Sequence, residues 1–256
     1  MMIAVPEKIR KAMSAGDPIL FVSPHLDDAV LSCGALLEAA AGHCPVTVAT
    51  VFTTADVPPH TYAARSFLGG TDARTLFDAR RREDREVLAE LTNVQAVHLG
   101  FPDALFRRRQ IRGALRMLPE LAHRYPTYRY DIARGRLARG DRPMIADVRA
   151  AVSTAAADAR LVFCPLGVGR HVDHLIARDV GALFGDRTVY FSDFPYDQVG
   201  SGDPRFISRN RLEAWQWNEG IAAKARLIKG YHTQVDGIFP NGVIPPSPET
   251  YYFPER

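Results

Sequence analysis

The clearest fold signal in this chain is the stretch Ile19-Leu20-Phe21-Val22-Ser23-Pro24-His25-Leu26-Asp27-Asp28. Its first four residues form a short apolar run that predicts a buried strand, and the apolar segment 29–37 predicts a packed helix. His25, Asp27 and Asp28 therefore lie on a strand-to-helix turn. In an open parallel sheet such turns meet at the carboxyl ends of the strands, where these folds bind their ligands.

A second stretch, 161–174, repeats this arrangement. Leu161-Val162-Phe163-Cys164 predicts a strand, 165–170 a loop, and the residues from His171 onward a helix. Two strand ends then deliver imidazole and carboxylate groups to one edge of the sheet. Two histidines and an acid that open a helix directly after a buried strand serve no packing need, and this favours a metal site.

A divalent metal is the simplest reason for gathering these groups. Catalytic zinc usually takes three protein ligands from His, Asp or Glu and leaves one position open, and His25, Asp28 and His174 would supply that set. Asp27 would then act as base on the attacking water. Asp173 could orient one imidazole by accepting its ring proton. The alternative for the two adjacent acids taken alone is helix N-capping, which is common.

These motifs resemble the zinc-dependent PIG-L/LmbE de-N-acetylases, which remove acetyl groups from amino sugars and related small molecules. The resemblance rests on two specific motifs, Pro24-His25-Leu26-Asp27-Asp28 followed by Gly34, and His171-Val172-Asp173-His174. It extends to further segments, which are Arg80 with Glu83, Leu99-Gly100-Phe101-Pro102-Asp103, and 224–234. It thus covers residues 18–104 and 160–236, and it implies a Rossmann-like α/β fold.

The resemblance also implies a role for each residue of the two motifs. Zinc, or another divalent metal, would be bound by His25, Asp28 and His174. Asp27 would be the general base, and His171 would steady the tetrahedral intermediate with Asp173 paired to it. The implied substrate is a small N-acetylated amino sugar, GlcNAc-like or aminoglycoside-like, and secondary metabolism is the expected setting. Its hydrolysis would release acetate and a free amine.

Two other functions stay open. The same chemistry could act on a different amide, such as a thiol conjugate. Alternatively, the chain could be a non-catalytic Rossmann-like binding module whose acids and histidines are helix caps, although its first strand-to-helix turn lacks the Gly-x-Gly-x-x-Gly of a dinucleotide site. Stoichiometric metal would distinguish the enzymes from the binding module, and the acid released would distinguish the two enzymes.

The composition, with 46% hydrophobic and 24% charged residues, is that of an ordinary globular protein. Strand and helix segments alternate without a linker, so we predict one α/β domain over residues 1–256, with a mainly parallel sheet, flanking helices and short C-terminal β segments.

The net charge of +3 is too small to indicate nucleic acid. Apolar runs are too short for a membrane span, and the first twenty residues lack a signal-peptide pattern, so a cytoplasmic protein with a small-molecule partner is expected. Its oligomeric state is not predicted.

The three cysteines, an odd number without Cys-x-x-Cys spacing, are expected to be buried thiols in a reducing compartment: Cys33, Cys44 and Cys164. Other segments give weaker signals. The long segment 57–75 is predicted to be a loop, either a lid that borders the site or disordered. Residues 212–230 are amphipathic, with Trp215 and Trp217 expected in the core, and 238–256 is expected to form edge strands and turns.

Residues 105–142 are an arginine-rich insertion outside the resemblance. Between Arg107 and Arg142, eleven arginines face three acids, and three tyrosines are interleaved with them. The arginines could hold a substrate phosphate, since arginine binds phosphate bidentately. The other interpretation is a segment that only covers the surface, and it is the one we favour from sequence.

Overall fold

The computed structural model describes residues 6–254 and shows an α/β fold. Its strands within that range are β1 (Ile19–Ser23), β2 (Val46–Thr54), β3 (Val94–Pro102), β4 (Leu161–Pro165), β5 (Thr188–Phe191), β6 (Leu212–Trp217) and β7 (Glu249–Pro254). They form one sheet in the order β3-β2-β1-β4-β5-β7-β6. Strands β1 to β5 pair in parallel, and β7 pairs antiparallel with both β5 and β6. The predicted mainly parallel, Rossmann-like sheet is confirmed.

Helices cover both faces of this sheet. Within residues 6–254 the α-helices are α1 (Glu7–Ala15), α2 (Asp28–Ala41), α3 (Tyr62–Leu68), α4 (Ala73–Ala89), α5 (Pro119–Ala122), α6 (Arg142–Ala155), α7 (Val172–Gly181), α8 (Pro204–Arg209), α9 (Ile221–Ile228) and α10 (His232–Ile238). Helices α1, α2, α4 and α9 contribute to the hydrophobic cluster on one face, and α6, α7 and α8 to the cluster on the other. In the part of the chain that the structure describes, no helix has the length and apolarity needed to cross a bilayer.

The central strand β1 shows why its sequence is apolar throughout. Ile19 and Phe21 pack into one cluster, whereas Leu20 and Val22 pack into the other. Successive side chains of a strand point to opposite faces, so a strand covered on both faces needs an unbroken apolar run.

The sheet order also fixes where a site can form. From β1 the chain proceeds outward through β2 to β3, then returns to β4 on the other side of β1. The carboxyl ends of β1 and β4 are therefore adjacent at the point where the strand order reverses, which is where open α/β sheets bind ligands. The two polar motifs follow these two strands.

The prediction of a loop over 57–75 was wrong in part. Helix α3 lies within that segment, and α4 begins at Ala73. Each helix has a side-chain N-cap, Thr61 accepting a hydrogen bond from the amide of Ala64 and Asp72 accepting one from Thr75. Such caps stabilise a short helix whose few residues show too little periodicity to be recognised.

The C-terminal segments also differ from expectation. The amphipathic segment 212–230 divides into strand β6 and helix α9, and both Trp215 and Trp217 are buried as predicted. Strand β7 is an interior strand and not an edge, because it pairs with β5 and β6. Residues 1–5 and 255–256 of the predicted terminal segments lie outside the described residues.

We predict that Glu249→Ala destabilises the fold strongly. Its buried carboxylate accepts hydrogen bonds from the amides of Ala35 and Leu36, and lies 3.8 Å from the buried Nζ of Lys224. Removing it leaves that cation uncompensated, which costs about 3–5 kcal/mol. Urea denaturation measures the loss, with exposed Glu213→Ala on β6 as a control expected within about 0.5 kcal/mol of wild type. Equal stability of both variants would contradict this role.

Candidate metal centre and active site

The turn after β1 is held by its own backbone and by Ser23. The Ser23 hydroxyl donates to the carbonyl of His25 at 2.6 Å and accepts a hydrogen bond from the amide of Ala29 at 3.0 Å. The amide of His25 donates to Oδ2 of Asp28 at 2.9 Å. Asp27 occupies the N-cap position of α2, yet its side chain caps none of the described amides. The N-cap alternative for the two acids is therefore not what the structure shows.

Three side chains from the two motifs meet at one point. Oδ2 of Asp28 lies 3.2 Å from Nδ1 of His25 and 3.3 Å from Nε2 of His174, which comes from the first turn of α7. One ligand atom from each of the three residues lies within 4.8 Å of the other two. This donor set, two imidazoles and one carboxylate, is a common set for catalytic zinc.

The second nitrogen of each imidazole is bound to a carboxylate. Nδ1 of His174 lies 2.6 Å from Oδ1 of Asp193, and Nε2 of His25 lies 3.1 Å from Oδ2 of Asp173. A ring N–H donated to each carboxylate leaves the other nitrogen, the one that faces Asp28, as a lone-pair donor. Both rings are thus held in the tautomer that a cation requires, so the residues present fit a divalent metal.

Asp193 contacts the candidate site, although the sequence indicated only that residues 192–196 end at the same edge of the sheet and gave Asp193 no role. It follows β5 at the same sheet edge, and its second oxygen accepts hydrogen bonds at 2.8 Å from the amides of Gly167 and Val168. This carboxylate therefore fixes both the ring of His174 and the loop that precedes α7. Its position directly after a strand that neighbours β4 was the available signal.

The expected pairing of Asp173 with His171 is not the one the structure shows. The Asp173 side chain contacts His25, Arg107 and the amide of Ala104. His171 instead accepts a hydrogen bond on Nδ1 from the backbone amide of Asp173, at 3.3 Å, and so caps α7. The reason is local, because the capping geometry turns the backbone amide and not the carboxylate toward that ring.

Burial and neighbouring charges set the protonation of these groups. Burial, followed by the charge of Asp28, raises the pKa of Asp27 to about 7. Burial also acts to raise the pKa of Asp28, but the nearby His174 and His25 outweigh it and lower that pKa below its usual range. Burial and then the charge of His25 lower the pKa of His171, which favours a neutral imidazole with its proton on Nε2.

A cavity of about 550 Å³ opens over these groups, a size typical of small-molecule sites. Its polar lining includes His25, Asp27, Asp28, Arg80, Asp103 and His171. Its apolar and aromatic lining includes Leu31, Phe67, Leu105, Tyr128, Tyr196 and Ile238. Phe67 belongs to α3, so the prediction that segment 57–75 borders the site is confirmed.

Arg80 brings a cation to a cavity rich in carboxylates. Its guanidinium lies 4.8 Å from the ring centroid of Phe67. Burial lowers the pKa of Arg80, although the negative charges of Asp27 and Asp103 act to raise it. Its buried Nε has no hydrogen-bond partner among residues 6–254. Arg80 thus differs from Arg74, Arg82 and Arg85 of the same helix, which are exposed, because it lines the cavity.

Residues of α10 form hydrogen bonds with α4 and with the turn after β1. Glu83 of α4 accepts hydrogen bonds from the amide and the hydroxyl of Thr233, the latter at 2.6 Å. The side chain of Gln234 donates to the carbonyl of Leu26 at 2.9 Å. These contacts explain why α4 and α10 carry polar residues at buried positions.

The arginine-rich insertion contributes little to the cavity wall. Of residues 105–142, those that line the cavity are Leu105 and Tyr128, and no arginine of this segment does so among the described residues. The interpretation that arginines of this segment hold a substrate phosphate is therefore not supported, and this includes Arg134, Arg136 and Arg139, for which the sequence would predict that role. All three cysteines are free and buried, as predicted.

The chain is similar to a family model and to a curated relative. A family model described as PIG-L, GlcNAc-PI de-N-acetylase, matches residues 20–183. A 2'-N-acetylparomamine deacetylase of Streptomyces fradiae is 30% identical over 210 residues, which are 80% of this chain and 66% of that protein. The match thus spans just under two thirds of the relative's length.

Solved structures share the fold. A deacetylase–teicoplanin complex from the teicoplanin biosynthesis pathway is 25% identical, with a TM-score of 0.68 over 92% of this chain and 97% of that one. An N,N'-diacetylchitobiose deacetylase from Pyrococcus horikoshii is 12% identical, with a TM-score of 0.53 over 97% of this chain and 89% of that one. The latter similarity concerns the fold alone.

Proposed function

Because this chain belongs to the PIG-L, GlcNAc-PI de-N-acetylase, family, we propose that it is a metal-dependent deacetylase of a small amino-sugar metabolite. The observation that carries this proposal is the convergence of ligand atoms from His25, Asp28 and His174 beside a small-molecule cavity. His25, Asp28 and the neighbouring Asp27 line that cavity. Two of the relatives named above are, by their names, a 2'-N-acetylparomamine deacetylase and a deacetylase of the teicoplanin biosynthesis pathway.

His25, Asp28 and His174 would hold the metal, and zinc is the ion that this donor set favours. When bound, zinc would supply Lewis-acid stabilisation for the acyl oxygen and for the attacking water. Asp193 and Asp173 would hold the two imidazoles in the required tautomer. The three ligands would come from β1–α2 and β4–α7, which are rigidly joined through the sheet.

Asp27 would act as the general base. It lines the cavity but is outside the ligand set, so its carboxylate is free to accept and return a proton. It would take a proton from water as the new C–O bond forms at the acetyl carbon. When the C–N bond breaks, the same proton would pass to the departing amine, so acetate and a free amine result.

His171 would stabilise the developing oxyanion. Because Nδ1 accepts the amide hydrogen of Asp173, the neutral ring carries its proton on Nε2 and can donate it as a hydrogen bond. A donor that is already oriented gains most when charge appears in a site shielded from water. The lowered pKa of His171 supports a neutral donor and not an imidazolium.

The remaining lining suits a polar ring. Arg80 and Asp103 offer a cation and a carboxylate to hydroxyl or amino groups, whereas Tyr128 and Tyr196 offer aromatic faces to the apolar face of a sugar. The centroid of Tyr128 lies 5.8 Å from that of His171, and the centroid of Tyr196 lies 6.0 Å from that of His174. A sugar ring that packs against these tyrosines would lie beside Asp27, which lines the same cavity.

The proposal is tested with metal analysis and a substrate panel. We expect stoichiometric zinc in the purified protein, and acetate release from an N-acetylated amino sugar or aminoglycoside precursor that is lost with a chelator and restored by zinc. Release of another acid, from a thiol-conjugate amide, would favour the alternative amidase. Absence of both metal and turnover would favour the binding module.

A further inference from the structure

We propose that Arg107 is a positioning residue of the metal centre, because it fixes the carboxylate of Asp173 against the ring of His25. The inference rests on the proposed metal site and goes beyond it. It gives the arginine-rich insertion a task that is neither substrate binding nor surface cover. The insertion would hold a ligand of the metal in place from outside.

Arg107 is buried in an unusual way for its type. It follows a 3-10 turn, Ala104–Phe106, at the carboxyl end of β3, and is 2% exposed. Burying a guanidinium is costly unless its donors are satisfied by acceptors of opposite charge. Here Nε donates to the carbonyl of Pro102 at 2.9 Å, and the two terminal nitrogens donate to Asp141 and Asp173.

The carboxylate of Asp173 is held from both sides. Its Oδ1 accepts a hydrogen bond from Nη2 of Arg107, and its Oδ2 accepts one from the amide of Ala104 at 3.0 Å. The same Oδ2 lies 3.1 Å from Nε2 of His25. Because the guanidinium and the amide define the plane of the carboxylate, they also define the direction in which it can accept the His25 proton.

Arg107 is itself held by Asp141, which lies near the end of the insertion. Asp141 accepts hydrogen bonds on Oδ2 from Arg107 at 3.1 Å and from the hydroxyl of Tyr125 at 2.6 Å, and on Oδ1 from Arg124. The hydroxyl of Tyr125 in turn accepts the amide of Ala138 at 2.9 Å. Two separate parts of the insertion, at Arg107 and at 124–125, therefore converge on the carboxylate of Asp141.

The planar fork of arginine suits this position. Asp141 and Asp173, both fully buried, bind different terminal nitrogens of one guanidinium, and Phe52 packs against its face with the ring centroid at 4.5 Å. A lysine ammonium is a point charge that cannot reproduce this two-sided geometry. The charge alone is thus not sufficient, since the orientation of Asp173 depends on the fork.

The test measures zinc affinity of the metal-free protein by competition with a chromogenic chelator. We expect Arg107→Met to weaken zinc binding measurably and by no more than about 10–100-fold, which is the loss expected when a direct partner of a ligand, here Asp173, is removed. Arg107→Lys should regain part of this loss. The matched control is Arg109→Met, an exposed arginine of the same segment, expected within about twofold of wild type.

A double-mutant cycle distinguishes positioning from a purely structural role. If Arg107 acts through Asp173, then Arg107→Met should add little to the loss of zinc affinity already caused by Asp173→Asn. Additive losses would overturn the inference, as would zinc affinity of Arg107→Met equal to wild type. If Arg107→Met does not fold, then Arg107→Lys and Asp141→Asn decide, and wild-type affinity in both overturns the inference.

Failure of the metal centre itself gives a different result. A wild-type protein that binds no zinc removes both the proposed function and this inference. Wild-type protein that binds zinc, together with an Arg107→Met variant that binds it equally well, removes the inference alone. Because affinity is measured without substrate, an error in the proposed substrate does not affect the outcome.

Discussion

Replacing His25, Asp28 or His174 singly by alanine should reduce bound zinc to background and abolish acetate release. Each residue supplies one of three converging ligand atoms, and a catalytic zinc site takes three protein ligands, so loss of one should weaken binding severely. Elemental analysis of each variant measures the metal, and far-ultraviolet circular dichroism verifies folding. The control is His43→Ala, an exposed histidine before β2, which should keep both zinc and activity.

One result would assign the metal to a different group of residues. A second group, His25 with His171 and Asp173, also places three ligand atoms within 4.8 Å of one another. We favour the first group because Asp173 is already bound to Arg107, His25 and an amide, which leaves little of its carboxylate for an ion. Retention of zinc in His174→Ala together with its loss in His171→Ala would show that the second group is the site.

The two turns that carry the site residues could be predicted because each is defined by residues that lie close together in the sequence. The turn after β1 and the helix start at α7 each combine an apolar strand with polar residues within a few positions, and such patterns need no tertiary information. That the two turns meet follows from the parallel sheet, whose strand ends share one edge. The structure brings together His25, Asp28 and His174, as expected for residues at the ends of adjacent parallel strands.

The partners of those residues could not be predicted, because tertiary packing selects them. Asp193 is 19 positions from His174, and Asp173 is 148 positions from His25. The family resemblance implied instead that Asp173 would pair with His171, whereas capping of α7 occupies that ring with a backbone amide. Which of several nearby acids a histidine contacts is decided by the direction of each side chain.

The arginine-rich insertion also shows that residue type does not predict which side chain is buried. In Arg107-Arg108-Arg109 three identical side chains follow one another, yet the first is buried and the last exposed. Nothing in the residue types distinguishes them, and the deciding factor is the position of Asp141 and Asp173 in the folded chain. An interpretation of the segment from its net charge therefore misses the one arginine that contacts the site.

Asp27→Asn should lower kcat by about 10²–10⁴-fold while zinc content and stability stay near wild type. Asparagine keeps the shape of the side chain but cannot accept the proton of the attacking water. Retention of the metal follows from the geometry, because Asp27 is outside the group of converging ligand atoms. Initial rates of acetate release and zinc content per chain measure the two properties separately, with Asp56→Asn, outside this cavity, as a control for loss of an acid at the same sheet edge.

His171→Ala is the companion variant, since it should also retain zinc and lose about 10²–10³-fold in kcat through the missing oxyanion donor. It removes a helix cap as well, at a cost of about 1 kcal/mol, so its stability is measured alongside. His171→Gln, whose amide can still donate a hydrogen bond, should recover part of the rate. If Asp27→Asn loses its zinc while His171→Ala turns over at the wild-type rate, then Asp27 is a ligand, His171 is dispensable, and both assignments must be abandoned.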